Sequence, residues 1–298
     1  MRVNAGESIL ELWNASRAPS LFVVGTGKNV GKTVALRAVY RACVQAGLAC
    51  GLTSIGRDGE AFDIADSIAK PRLWLERDSV VATARDVLPR SPASELLALT
   101  SHRTAAGPLV YARVRSGAYY ELTGPPIASA VRTVVRDLLE FVPRVVVDGA
   151  IDRLAALAGG DDAIVVACGA AAAPTPGEAV DAVRALVMRL RTPQFNGVGE
   201  SRPIEGALTP AIAAALIREH ESRAIVVRDP TQIALAGKAA LHAFESLTIR
   251  CERPLNVIAV TVASAGRERA FEPREFGRCV ARATGLPTFD VYAAERAA

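Results

Sequence analysis

The chain is poor in the residues from which most disulfide frameworks and zinc sites are built. It has only three histidines and five cysteines, and aromatic residues make up 5% of its 298 positions. The cysteines form no CxxC pair, and the histidines show no spacing typical of metal ligands. An odd, scattered set of cysteines predicts reduced, buried thiols, so neither a structural zinc site nor a disulfide scaffold is expected.

The sequence also lacks long apolar runs and blocks of one charge. The longest candidate for a membrane segment, Ala163–Ala173, is too short to span a bilayer and contains Gly169. The first residues, MRVNAGESILELW, lack the basic-then-apolar order of a signal peptide. Net charge is only +4, and no cluster of Lys and Arg is interleaved with aromatics. We therefore expect a cytoplasmic protein with no membrane or nucleic-acid partner.

What the chain does have is a globular composition and alternating β and α signals. Half of its residues are hydrophobic, enough to bury a large core. The pattern predicts a three-layer α/β fold with a mostly parallel central sheet. The polar, glycine-rich stretch 192–199 is the best internal linker, which suggests a domain over residues 1–192 and a C-terminal α/β portion over 193–298. A single continuous domain remains the alternative.

The most informative stretch reads LFVVGTGKNVGKTVALRA, from Leu21 to Ala38. An apolar strand leads into a glycine-rich turn, then Lys32 and Thr33, then a helical pattern. This order is that of a phosphate-binding P-loop, in which glycines let backbone N–H groups approach a polyphosphate and the helix N-terminus faces the anion. The residues expected to bind nucleotide are Gly25, Thr26, Gly27, Lys28, Asn29, Val30, Gly31, Lys32, Thr33 and Val34.

The spacing within this stretch differs from the usual P-loop. The common pattern puts four residues between its first glycine and Gly-Lys-Thr, a position that Thr26 occupies here, whereas Gly25 lies one residue earlier. In the P-loop interpretation Lys32 reaches the β- and γ-phosphates, and the Thr33 hydroxyl binds Mg²⁺. The alternative interpretation is a flexible glycine turn followed by a chance Gly-Lys-Thr.

Carboxylates follow the next predicted strand, which covers 48–53. Asp58, Glu60 and Asp63 come just after it, where residues of an α/β sheet face a ligand. We therefore expect Asp58 and Glu60 near the γ-phosphate, with roles in positioning a water molecule, and Asp58 also near Mg²⁺. An ordinary acidic surface turn is the alternative.

A second acidic position ends a buried strand further along the chain. The run Arg144–Asp148 reads RVVVD, and in a P-loop protein an apolar strand that ends in Asp holds Mg²⁺ directly or through water. Asp148 is thus the third predicted metal residue, beside Thr33 and Asp58, and Asp152 and Arg153 follow as candidates for contact with substrate or phosphate. Between these sites, the segment 109–122 predicts a β-hairpin turning at Ser116 and Gly117.

Several phrases resemble known P-loop proteins. GTGKNVGKT resembles the loop of dethiobiotin synthetase and its relatives in the SIMIBI class. With SIGRDGE, KPRLWLERDSVVATA, RVRSGAYYELTGP, VVVDGAIDR and LPTFDVY, the chain is similar to the P-loop proteins encoded beside cobalamin-dependent lysine and ornithine aminomutases. That resemblance implies an ATPase reactivator or chaperone that acts with a MutS-like partner, binds nucleotide through Gly25–Thr33, and binds Mg²⁺ through Asp58 and Asp148.

The chain departs from two relatives of that family. Dethiobiotin synthetase carries a substrate-binding lysine where this sequence has Thr53, Ser54 and Ile55. MinD-like ATPases place a signature lysine five residues before the P-loop lysine, whereas Lys28 lies four residues before Lys32. A role for Lys28 across a dimer interface therefore does not follow from the resemblance, although a homodimer is left open.

These observations predict Mg²⁺-ATP binding with slow hydrolysis to ADP and phosphate, coupled to action on a partner protein such as an aminomutase or a MutS-like protein. Two alternatives stay open. The first is an ATP-dependent ligase or kinase of the dethiobiotin synthetase type, in which a small carboxylate attacks the γ-phosphate. The second is a nucleotide-binding module with little turnover. Selectivity for ATP over GTP is an assumption, because the guanine-reading Asn-Lys-x-Asp motif is not present.

Overall fold

The computed structural model describes residues 4–56, 72–89, 92–149, 154–266 and 269–292 of the chain. It divides into two compact units. Unit 1 consists of Met1–Val24 and Lys32–Ala156, and unit 2 consists of Gly25–Gly31 and Leu157–Ala298. The boundary predicted between residues 192 and 193 falls inside unit 2 and stays a prediction.

Seven α-helices lie in the described residues. They are α1 (Ala5–Ser16), α2 (Lys32–Gln45), α3 (Ala128–Leu139), α4 (Pro176–Leu190), α5 (Pro210–Arg218), α6 (Gly237–Ser246) and α7 (Pro273–Thr284).

Fourteen strands lie in the same residues. They are β1 (Ser20–Gly25), β2 (Cys50–Ser54), β3 (Leu73–Leu75), β4 (Val80–Ala84), β5 (Ser94–Thr104), β6 (Gly107–Val114), β7 (Ala118–Tyr120), β8 (Arg144–Asp148), β9 (Ala163–Gly169), β10 (Ser201–Pro203), β11 (Ala224–Val227), β12 (Ile249–Cys251), β13 (Asn256–Ala263) and β14 (Thr288–Asp290).

Local capping chemistry sets the ends of several helices. Thr175 and Glu178 form a reciprocal capping box at the start of α4. The Glu272 carboxylate accepts hydrogen bonds from backbone N–H groups of the first turn of α7, and Gly285 ends that helix in the left-handed conformation. These two residues explain why α7 begins at Pro273 and ends at Thr284.

Unit 1 contains a six-stranded sheet in the order β1-β8-β2-β4-β6-β5. The first four strands run parallel, and β6 and β5 are antiparallel additions. β1 and β2 are buried along their whole length, as expected for strands covered on both faces. Helices α2 and α3 contact this sheet, and α1 packs on α2 with Trp13 fully buried.

The predicted hairpin at Ser116 and Gly117 is wrong. Strands β6 and β7 flank that turn but do not pair with each other. β6 instead pairs antiparallel with both β4 and β5, and β7 pairs with β3 in a separate two-stranded sheet. Most apolar residues of β6 are buried because the strand lies between two others, β4 and β5. A hairpin with β7 would give β6 only one neighbouring strand.

Unit 2 contains two all-parallel groups of strands. One has the order β14-β13-β9, and the other is a small sheet in the order β10-β11-β12. Helix α4 contacts α6 and α7, and the small sheet shares a buried apolar cluster with α4, α5 and α6. β10 escaped prediction because it has only three residues, Ser201, Arg202 and Pro203, with no apolar run.

The predicted α/β class with a mostly parallel sheet is confirmed. The described helices include none that combines the length and apolarity needed to cross a membrane. All five cysteines are free, and four of them are buried. Burial raises the pKa of the Cys168 thiol to about 12 and that of Cys251 to about 11, so both are neutral core residues at pH 7.

Candidate functional site

Within unit 1, three parallel strands bring their carboxyl ends to the same level. Asp148, the last residue of β8, lies in register with Val23 of β1 and with Ser54, the last residue of β2. Ligands of open α/β sheets bind beyond such strand ends. The Asp148 side chain is half-buried and stands at this edge rather than inside the core.

The first turn of α2 contributes a hydrogen-bond partner of Asp148. The Thr33 hydroxyl donates to the Asp148 carboxylate, and the Oγ1–Oδ2 distance is 3.4 Å. Thr33 is the second residue of α2 and, like Asp148, is half-buried. These residues are 115 positions apart in the sequence. The fold therefore joins two metal residues predicted from separate motifs.

Backbone hydrogen bonds fix the position of Asp148. Its carbonyl accepts from the Ile55 N–H at 2.9 Å, and the Gly149 N–H donates to the Val23 carbonyl at 2.9 Å. A Cβ added at Gly149 would lie 2.5 Å from that carbonyl oxygen. The close approach of these chains therefore requires glycine directly after the strand.

The glycine loop, Gly25–Gly31, connects β1 to α2 and belongs to unit 2. Asn29 and Gly31 have positive φ values of 58° and 89°. The Thr26 N–H donates to the Ala167 carbonyl of β9 at 3.0 Å, which fixes the start of the loop. Left-handed backbone at Asn29 and Gly31 suits the two residue types that adopt it most readily.

Small side chains surround this loop in unit 2. A Cβ at Gly27 would lie 2.8 Å from Cβ of Ala172, and one at Gly31 would lie 3.1 Å from Cβ of Ala263. Ala172 follows β9, and Ala263 ends β13. Packing thus favours glycine at positions 27 and 31, and the positive φ of Gly31 favours it there a second time.

The loop presents backbone donors. Across the described residues, no acceptor meets the N–H groups of Asn29, Val30 or Gly31. The helix α2 begins at the next residue, Lys32, and the first N–H groups of a helix have no intrahelical partner. Consecutive donors of this kind are the chemical requirement for binding an anion with several oxygens.

The other predicted nucleotide residues differ in exposure. Lys28 and Asn29 are exposed, whereas Gly25, Val30 and Gly31 are buried. The half-buried positions are Thr26, Gly27, Lys32, Thr33 and Val34. Lys28 therefore differs in environment from Lys32, which opens the helix.

The remaining acidic predictions lie outside the described residues. These are Asp58, Glu60 and Asp63 after β2, together with Asp152, and the basic candidate Arg153 lies there too. Their predicted roles in positioning water, binding Mg²⁺ or contacting phosphate stay predictions.

Sequence reasoning missed the part played by Ser54 and the segment Leu122–Pro125. The Ser54 hydroxyl donates to the Leu122 carbonyl at 3.1 Å and accepts from the Gly124 N–H at 2.9 Å. A Cβ at Gly124 would lie 1.4 Å from the Ser54 carbonyl oxygen. The Gly-Pro-Pro run at 124–126 is typical of an interruption between secondary-structure elements. Nothing in it indicates that the segment is hydrogen-bonded to the carboxyl end of β2.

The chemistry of Thr33 and Asp148 suits a hard cation. A hydroxyl and a carboxylate are oxygen ligands of the type that Mg²⁺ prefers, and Mg²⁺ keeps several water or phosphate ligands of its own. Within the described parts of the chain, no three His, Cys, Asp or Glu side chains form a metal cluster.

Comparison of the chain with protein-family models, with curated proteins and with solved structures finds no match in any of the three.

Proposed function

We propose that the chain is a Mg²⁺-ATP-binding ATPase of the P-loop type. The single observation that carries this proposal is the approach of Thr33 to Asp148, at 3.4 Å, directly after the glycine loop. A chance Gly-Lys-Thr has no reason to place its threonine beside a carboxylate that ends a buried parallel strand. Motif and fold therefore point to the same chemistry.

Each residue of the site has a role in this proposal. The N–H groups of the glycine loop and of the first turn of α2 bind phosphate oxygens, and the Lys32 ammonium neutralises charge on the β- and γ-phosphates. Thr33 and Asp148 hold and orient the cation through oxygen atoms. A Mg²⁺ ion held there would supply positive charge against the negative charge of the phosphates.

The biological output in this proposal is action on a protein partner. Its support is the resemblance of several phrases to the ATPase reactivators of cobalamin-dependent aminomutases. A second support is the lack of lysine in the segment Thr53, Ser54 and Ile55, where a ligase of the dethiobiotin synthetase type has one. We propose that hydrolysis is slow in the isolated protein and is stimulated by that partner, an aminomutase or a MutS-like protein.

Nucleotide titration tests the binding site. We expect Lys32→Ala to weaken Mg²⁺-ATP binding by at least about tenfold, because an ammonium–phosphate hydrogen bond is charge-assisted. The matched control is Lys238→Ala, which removes an exposed lysine of α6. Calorimetric titration of both variants and the parent protein gives the comparison. An unchanged affinity for Lys32→Ala would remove the site assignment.

Phosphate release separates the possible outputs. The purified protein is assayed with ATP alone, with aminomutase and MutS-like components, and with a panel of small carboxylic acids. Stimulation by the protein components supports the proposal. Turnover only with a carboxylic acid identifies a ligase or kinase instead, and binding without turnover under every condition identifies a nucleotide-binding module.

A further inference from the structure

Unit 2 contains a surface cleft at the carboxyl-terminal ends of three helices. Its volume is about 330 Å³. Residues of α4, of the neighbouring elements α6 and β12, and of α7 line it, so that three separate regions of the sequence contribute. The volume is at the lower end of the range for sites that bind small molecules, which begins near 300 Å³.

The base of the cleft is apolar. Met188 and Phe244 are half-buried, and Ile249 is buried. Clefts that bind small molecules combine such a lining with a few polar groups that set ligand orientation. Contact with these side chains would favour a ligand that has a compact apolar body.

The polar groups of the cleft are three guanidinium side chains, those of Arg184, Arg191 and Arg250. Arg184 donates to the exposed Glu245 at 3.2 Å, and Arg250 donates to the neighbouring Ile249 carbonyl at 2.9 Å. Within the described part of the chain, no carboxylate pairs with Arg191 or Arg250. Five N–H donors on each guanidinium leave a surplus of donors over acceptors in this cleft.

The helix ends supply a counter-charge of limited size. Each C-terminus carries about half a negative elementary charge, which screens part of the positive field and explains in part why arginine suits these positions. The carbonyl oxygens at the helix ends, however, accept hydrogen bonds from few of the guanidinium N–H groups. Arg191 is the C-cap of α4 and is exposed, so its fork is accessible to a bound acceptor.

The geometry points to a second binding site in this cleft, for a small carboxylate with a compact apolar body. The guanidinium groups of Arg191 and Arg250 bind the carboxylate, and Met188, Phe244 and Ile249 contact the apolar body. A planar guanidinium group binds a carboxylate through two parallel hydrogen bonds. A ligand whose head group is an amide or an ammonium cannot accept such a pair of hydrogen bonds. This inference is independent of the proposed ATPase activity.

The test uses two probes with the same apolar body, 4-phenylbutyrate and its neutral amide, 4-phenylbutyramide. Binding to the full-length protein is measured by shifts of backbone amide signals in NMR spectra. We expect the carboxylate to bind at least about tenfold more tightly than the amide, since charge-assisted hydrogen bonds contribute that factor. Equal affinities, or no shift at probe concentrations of about 10 mM, would overturn the inference.

Variants locate the binding. Arg191→Gln combined with Arg250→Gln is expected to weaken 4-phenylbutyrate by at least about tenfold and to change the amide little. Arg218→Gln, on the exposed face of α5, is the matched control and is expected to bind both probes as the parent does. Arg250→Lys keeps the positive charge but loses the planar guanidinium group, and we expect it to bind 4-phenylbutyrate with an intermediate affinity. It is the variant to use if the double variant folds poorly. Full affinity for the carboxylate in both the double variant and Arg250→Lys would exclude this cleft.

Discussion

The two proposed anion sites, the glycine loop with Thr33 and Asp148 and the cleft of unit 2, are built by opposite means. The first uses backbone N–H groups and one lysine, most of them within nine consecutive residues. The second uses guanidinium side chains over an apolar base, drawn from separate elements. A site built from main-chain donors thus has a compact sequence signature, whereas a site built from side chains of several helices has none.

The glycine loop and the cleft also differ in how strongly backbone conformation restricts the residue type. Positive φ at Gly31 and close packing on Ala263 restrict the loop to glycine at that position. Most of the cleft residues lie on helices and a strand, and none of them has the positive φ that favours glycine. Substitutions should therefore affect nucleotide binding and carboxylate binding separately, and the following predictions test this independence.

The largest effect on activity is expected from a substitution of Asp148, one of the predicted metal residues. Asp148→Asn keeps the size of the side chain but removes its charge, so we expect Mg²⁺-dependent phosphate release to fall by about 10- to 100-fold. Binding of 4-phenylbutyrate should not change. The control is Asp181→Asn on the exposed surface of α4, which should keep parent activity. Parent-like phosphate release by Asp148→Asn would contradict the assignment of Asp148 as a metal residue.

An intermediate effect is expected from filling the cleft. Ala283→Leu adds three carbon atoms at the half-buried lining position of α7, so we expect about tenfold weaker binding of 4-phenylbutyrate through lost space. ATP affinity, measured by the same calorimetric titration, should remain that of the parent. A parallel loss of ATP affinity would show that the two sites are not independent.

The smallest effect is expected on stability. Gly31→Ala places a Cβ on a residue with φ of 89°, so the free energy of unfolding should fall by about 1 kcal/mol. Gly177→Ala, in α4 and with no atom within 4 Å of the added Cβ, should be neutral or slightly stabilising. Urea unfolding of both variants gives the comparison, and equal stabilities would show that the loop is not held in its left-handed conformation.

Much of the fold and the centre of the candidate site were predictable because their signals are local. The apolar runs of β1 and β8, the cap residues of α7 and the glycine loop are each defined by neighbours in the sequence. The strand-end position of Asp148 follows from the run that precedes it. The approach of Thr33 to Asp148 was predictable only because a known motif joins them.

Strand pairing and side-chain clustering were beyond local signals. The residues around Ser116 and Gly117 favour a hairpin equally well whether or not β6 has better partners, and only β4 and β5 decided the outcome. The hydrogen bonds of Ser54 to Leu122 and Gly124 span about seventy residues, and no periodicity reports them.

The amino-acid order thus specified where strands and helices begin and where an anion-binding loop could form, because backbone conformation depends mostly on adjacent residues. Folding alone settled which strands pair and that three arginines gather with apolar side chains in one cleft. Such contacts depend on burying apolar surface across long sequence separations, and that balance is a property of the whole chain.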